Sequence, residues 1–344
     1  MIDILIGFIA ASLLLYVLLG GSDFGAGIVE LLPAGRLREA QKEIINRAMG
    51  PVWEANHMWL ILIVVILFMG FPIIFTTLMT ALHLPMLALL VGIVVRGTAF
   101  TFRHYDAVQE ARTQSIYTWL FGLSSLWSAC WLGIIAASLN RGIIDPSSRE
   151  VWSAWIAPWW GLYPLSVGVF VVCIYAFLAS IYLVGETDDP ALKRRFLRLA
   201  AWFNGLVIVV GGLVFLASAN EQESLAKAFL RNPLNRGVVA TATLLFVALW
   251  FFVAKRRTML TRVVASGQVV LILIGWYVLY APNAVIMATG PLSFYEVAAP
   301  PATLRQLVIA LLVGSLFIFP SLLYLFRIFK LSRRPTEGQP RSDL

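Results

Sequence analysis

The chain has 344 residues, of which 60% are hydrophobic and 13% charged, and its mean hydropathy is +0.85. A soluble domain cannot solvate such a surface, and the apolar runs are continuous rather than alternating, which argues against a transmembrane β-barrel. The net charge of +8 calls for no nucleic-acid partner, because membrane proteins gather Lys and Arg in their cytoplasmic loops.

Runs long enough to cross a hydrocarbon core of about 30 Å predict an all-α polytopic bundle. Nine transmembrane helices are expected, at about 2–31, 52–79, 82–102, 115–139, 162–185, 199–219, 237–254, 263–282 and 305–329. The first run has no basic region before it and no small-residue cleavage site after it, so it reads as a retained helix rather than a signal peptide. As a helix it would reach about 45 Å, so it must tilt or protrude. It carries Asp23, roughly 13 Å from its inner end. Gly20, Gly21, Gly25 and Gly27 beside it suit close helix approach. The second run opens on Trp53, Glu54 and His57, one or two turns in, and the third holds Arg96 about 10 Å above its inner end.

Further along, Cys130 and Cys173 sit inside apolar runs without metal-site spacing and read as free structural thiols. Residues 140–162 carry Trp152, Trp155, Trp159 and Trp160, which predicts a short amphipathic helix on the membrane surface. Residues 1–330 are expected to form one transmembrane domain and 331–344 a disordered cytoplasmic tail. Of the 26 Lys and Arg, 19 lie after spans 1, 3, 5 and 7 or from Arg327 at the end of span 9 onward, 6 lie after the even-numbered spans with Arg305 included, and Arg96 is the last. That bias puts the N-terminus outside and the C-terminus in the cytoplasm.

Asp23, Glu54 and Arg96 therefore converge on one depth in the inner leaflet. Two readings follow. The groups could form an ion cluster that holds three helices together. Alternatively, because intramembrane acids commonly face a wet interior and mark proton routes, Glu54, Asp23 and neighbouring His57 are candidates for a proton pathway. His57 lies inside, His83 outside and His104 at the inner boundary, so the three histidines supply no matched pair for a haem.

Four segments carry a resemblance: "GGSDFGAGIVELL" (20–32), "GPVWEANHMWLILIVVILFMGFP" (50–72), "LHLPMLALLVGIVVRGTAFTFR" (82–103) and "SFYEVAAPPATLRQLVIALLVG" (293–314). They are similar to subunit II of cytochrome bd-type quinol oxidases, over nearly the whole chain. The resemblance implies a haem-free subunit without metal or catalytic residues of its own. It would support assembly and proton and oxygen access beside a subunit I that bears haem b and haem d, in the plasma membrane of a prokaryote. Quinol, membrane lipid and small single-helix subunits are the further partners it implies. By motif, Glu54 matches a carboxylate of the proton route from the cytoplasm. Trp53, Asp23 and Arg96 match residues around a structural quinone headgroup in some members.

The sequence departs from the family at three places. Gly20 and Thr101 stand where acids are common, and His57 replaces an amide or carboxylate. Two other classes compete. An ion-coupled secondary transporter should show an inverted repeat, and a b-type cytochrome electron carrier should show its own haem spectrum.

Overall fold

The computed structural model describes residues 1–50, 53–105, 110–221 and 224–331; the expected tail 331–344 lies outside them but for its first residue. The first span is α1 (Ile2–Leu15) and α2 (Gly21–Leu31), joined by one wide turn of π-helix, Tyr16–Gly20. A short amphipathic helix follows, α3 (Arg38–Met49), which buries Gln41, Ile44, Ile45 and Met49. The chain continues through α4 (Trp53–Gly70), α5 (Pro72–Ala81), α6 (His83–Tyr105) and α7 (Ala111–Ser138). Then come α8 (Leu162–Val184), α9 (Pro190–Ala217), the two-turn α10 (Leu225–Arg231), α11 (Pro233–Ala254) and α12 (Thr258–Tyr280). An antiparallel hairpin, β1 (Asn283–Met287) with β2 (Gly290–Ser293), leads into α13 (Pro301–Leu331). Among the described residues nine helices are long and apolar enough to cross a membrane, with Ile2–Leu31 taken as one.

Several boundaries differ from the sequence reading, and three of them have a clear local reason. The second span stops at Gly70 rather than near 79. Phe71 leaves the helical region and Pro72, which has no N–H to continue the ladder, starts α5 afresh. The sixth span begins at Pro190, nine residues early: Asp189 Oδ1 accepts from Ala191 N at 2.8 Å, and a capping acid with proline after it is a strong helix start. Lys193, Arg194, Arg195 and Arg198 fill those first turns and hide them from a hydropathy window. Likewise Asn232 caps α11 through Leu234 N at 2.9 Å.

The tryptophan loop forms a single turn of π-helix, Trp152–Ile156, shorter than the amphipathic helix expected there. Trp152, Trp155 and Trp160 stay exposed, and Arg141 anchors the loop by donating to the carbonyls of Ala157, Pro158 and Trp160. The same guanidinium pairs with Glu221 at 3.0 Å, tying the loop to the end of α9.

α2 is the axis of the bundle. Every residue from Gly21 to Glu30 is buried, against α7 on one side and α8 on the other. Glycine makes this closeness available. A Cβ on Gly25 would fall on the backbone carbonyl of Tyr175, and one on Gly27 would meet the Ser125 hydroxyl. Gly122 of α7 answers from across, where a Cβ would lie 3.0 Å from the Gly27 carbonyl. Apolar helices in lipid associate by such packing rather than by a hydrophobic drive between them.

Gly25→Ala should therefore destabilise the bundle by about 1–3 kcal/mol, the usual cost of overpacking against something that cannot move. Gly205→Ala, in α9 with nothing within 4 Å, is the internal control. It should be neutral or stabilising by roughly 0.5–1 kcal/mol. Thermal unfolding midpoints of the purified proteins in one detergent would compare them, and equal midpoints would refute the close-packing account.

Candidate functional site

Asp23 and Arg96 meet. Arg96 Nη2 lies 2.6 Å from Asp23 Oδ1, and both side chains are 1% exposed. Arg96 Nε donates to Ser125 Oγ of α7 at 3.0 Å, and Nη2 also faces the Asp23 carbonyl at 3.4 Å. Its guanidinium lies over the rings of Phe24 and Phe121, 4.9 and 4.8 Å from their centroids. Aromatic faces take up part of the solvation that a buried cation loses.

A second pair lies two turns further along both helices. Arg103 Nη1 is 2.8 Å from Glu30 Oε1, with the side chains 2% and 3% exposed. Arg103 Nη2 donates to Asn46 Oδ1 of α3, and the guanidinium lies 4.8 Å from the Phe121 centroid. Phe121 thus contacts both arginines. Gln114 Nε2 donates to the Arg103 carbonyl at 3.2 Å, so α7 lines both levels from residues 114, 118, 121 and 125. A polar cavity of about 470 Å³ sits at this end, bounded by Glu30, Arg38, Gln41, Lys42, Gln114 and Thr118.

Sequence reading missed Glu30 and Arg103 because one closes the first span and the other falls just past the third, so neither stands alone in an apolar run. A signal was present. Asp23 to Glu30 and Arg96 to Arg103 are both steps of seven, and the two helices run the same way through the bundle. Equal steps of about 10.5 Å therefore stack two pairs.

Phe24 collects the remaining polar groups. Its ring is 6.3 Å from Tyr16, 5.9 Å from His57 and 6.2 Å from Tyr175, the last nearly parallel. Asp23 Oδ2, Arg96 Nη1, Tyr16 Oη and His57 Nδ1 are buried and have no hydrogen-bond partner among the described residues. Orphaned donors and acceptors gathered in one place are costly unless a ligand or water completes them. This donor set suits a small headgroup bearing carbonyl or hydroxyl oxygens, such as that of a quinone. Nearby, the π-turn frees the Leu19 carbonyl, which accepts from Ser22 Oγ at 2.8 Å and Asn56 Nδ2 at 3.5 Å.

Two expected members stand apart. Glu54 does not join the Asp23–Arg96 cluster: it is exposed, with no ion pair or hydrogen bond among the described residues. It heads an outward stripe with Met58, Ile61, Val65 and Phe68, one residue per helical turn. Trp53 packs on Phe100 at 5.3 Å and over Gly97, beside the cluster rather than in it. His83 Nδ1 donates to the Thr80 carbonyl at the opposite end of the bundle from His57, and the side chain of His104 lies outside the described residues. Among the described residues no group of three His, Cys, Asp or Glu could hold a metal ion. Cys130 and Cys173 are free.

A nine-span bundle with two stacked arginine–carboxylate pairs, and unsatisfied polar atoms around one phenylalanine, is a multi-pass membrane protein built around an internal polar site. The chain belongs to the cytochrome bd terminal oxidase subunit II family, whose model matches residues 1–329. It is 25% identical over 191 residues to the cytochrome bd ubiquinol oxidase subunit 2 of Bacillus subtilis, covering 56% of this chain and 55% of that one. It is 23% identical over 233 residues to the cytochrome bd-I ubiquinol oxidase subunit 2 of Escherichia coli, covering 64% and 60%. The matched stretches thus span little more than half the length of these two relatives. The fold is similar to a chain of the bd oxidase from Geobacillus thermodenitrificans, with a TM-score of 0.75, 19% identity, and 97% and 99% of the two chains covered. The comparisons give no support to the transporter or cytochrome-carrier readings.

Arg96→Met would leave the Asp23 carboxylate buried without its cation, which costs roughly 3–5 kcal/mol. The double variant Arg96→Met, Asp23→Leu removes both charges and should recover most of that loss. Arg96→Lys should fall between, since an ammonium cannot reach Asp23 and Ser125 with a planar fork. Yield of monodisperse protein and its thermal midpoint would rank the three; a double variant no better than the single one would rule out an ion pair as the cause.

Proposed function

We propose that this chain is the haem-free subunit of a quinol oxidase of the bd type, in a prokaryotic plasma membrane. It pairs with a subunit I that carries the b and d haems, and small single-helix subunits complete the assembly. The single observation that carries the reading is the family match along residues 1–329, and the internal polar site gives it a chemical role.

In this reading the chain sits with its N-terminus outside and its basic ends in the cytoplasm, as the distribution of Lys and Arg suggests. Haem supplies the electron transfer and oxygen chemistry, and the residues here hold or conduct what that chemistry needs. Reduction of O₂ to water consumes protons, and in this arrangement they are taken from the cytoplasm. Glu54 suits the uptake step. It is titratable, has no described partner to hold it charged, and heads a face of α4 otherwise made of exposed apolar side chains. A carboxylate on such a stripe is costly in lipid and favourable beside water or another subunit. Asp23 and Arg96 suit a different task. Arg96 Nη1, Tyr16 Oη and His57 can bind quinone oxygens, with Trp53 and Phe24 providing ring surface near them.

Turnover per haem d in the assembled complex tests Glu54. Glu54→Gln should keep haem content near wild type and lower quinol-driven oxygen consumption at least tenfold, within the 10²–10⁴-fold range of proton-transfer groups or just below it. Glu54→Asp should retain much of the rate, because a water can bridge the missing methylene. Equal turnover in wild type and Glu54→Gln would remove the proton role and leave the family untouched.

A further inference from the structure

At the basic end of the bundle a cavity of about 450 Å³ opens between α8, α9 and the α11–α12 turn. Its walls include Ile181, Leu197 and Val253, and its rim carries Lys193, Arg194 and Arg256. An apolar slot under a basic rim, at the end of membrane-spanning helices, matches a molecule with acyl chains and a negative head.

Charge accounting sharpens the match. The acids near this end are already engaged: Glu186 pairs with Arg262 at 3.0 Å, Asp188 with Lys193 at 3.1 Å, and Asp189 caps α9. Arg194 Nε donates to the Pro190 carbonyl at 3.2 Å, and neither Arg194 nor Arg256 has a carboxylate partner among the described residues.

The backbone supplies an independent observation. α11 ends with Arg256 N donating to the Val253 carbonyl and Arg257 N to the Phe252 carbonyl, both at 3.0 Å. This pattern of helix ending places one residue in the left-handed region, and glycine is its usual occupant. Here it is Arg256, at φ 55°, the one non-glycine residue with positive φ among those described. A side chain kept where glycine would relieve strain points to a use for that side chain.

We infer that this cavity is a binding site for an anionic phospholipid, with Arg194 and Arg256 on the headgroup phosphate and the acyl chains along Leu197 and Val253. The site lies outside the Asp23–Arg96 cluster and is independent of the oxidase reading. Basic side chains at the headgroup level attract anionic lipids electrostatically, and the apolar slot distinguishes a lipid from a free anion.

The test is native mass spectrometry of the assembled complex with added phosphatidylglycerol, phosphatidylcholine or inorganic phosphate. Wild type should retain phosphatidylglycerol over phosphatidylcholine, and excess phosphate should not displace it. Arg194→Gln with Arg256→Gly should lose one phosphatidylglycerol per complex, with retention at that site at least fivefold lower. Arg256→Gly relieves the backbone, so the lipid-free thermal midpoint should not fall; Arg149→Gln, in the loop at the other end, should bind as wild type does. Equal retention of the two lipids by wild type would overturn the proposal, as would unchanged phosphatidylglycerol binding in the variant. Displacement by phosphate would replace the lipid with a free anion. The wild-type comparison decides the matter even if the variant assembles poorly.

Discussion

A guanidinium buried inside a hydrocarbon-spanning bundle is costly unless a counter-charge stands at its level, and here that pairing fixes the register of α2 against α6. Arg96 with Asp23 and Arg103 with Glu30 are separated by seven residues on each helix. A slip of one turn would move each helix about 5.4 Å and break both pairs at once. Desolvating four charges offsets most of what their attraction returns, so the pairs are poor evidence for net stability. Their value is specificity: every other register leaves charges alone in the interior. Phe121 spans the two levels, and Ser125 and Gln114 extend the same constraint to α7.

The glycines follow from this constraint. To carry its carboxylates, α2 must be surrounded, and to be surrounded it must be thin. Gly25 lets α8 approach until backbone faces backbone, and Gly27 brings Ser125 within reach of Arg96. The same approach places Tyr175 flat against Phe24. What remains unsatisfied near Phe24 is thus not loose packing. The unpaired atoms Asp23 Oδ2, Arg96 Nη1, Tyr16 Oη and His57 Nδ1 are gathered within one of the most enclosed parts of the chain.

Much of this was legible in the sequence. Asp23 and Arg96 announced themselves as single charges in apolar runs, and nine spans were evident from run length. Glu30 and Arg103 were not, because a charge at the edge of an apolar run does not stand out as one in its middle does. Glu54 was expected to converge with Asp23 and Arg96, and it faces outward instead. α4 is apolar on all sides, so nothing in its pattern fixes its rotation about its own axis. Asn56, two residues on, is the one that turns inward, onto the Leu19 carbonyl. The break at Phe71 was hidden for a related reason: proline at the start of α5 interrupts the hydrogen-bond ladder without interrupting hydropathy.

Rotation of α4 also separates two roles that the sequence had merged. Arginine does not release its proton in proteins, so no proton passes through Arg96 or Arg103. A carboxylate held 2.6 Å from such a cation is well placed to fix a field or orient a headgroup. Glu54 has the opposite situation, exposed and with no counter-charge among the described residues. If protons are taken up through this chain, the division of labour favours Glu54 as the mobile group and Asp23–Arg96 as the fixed one.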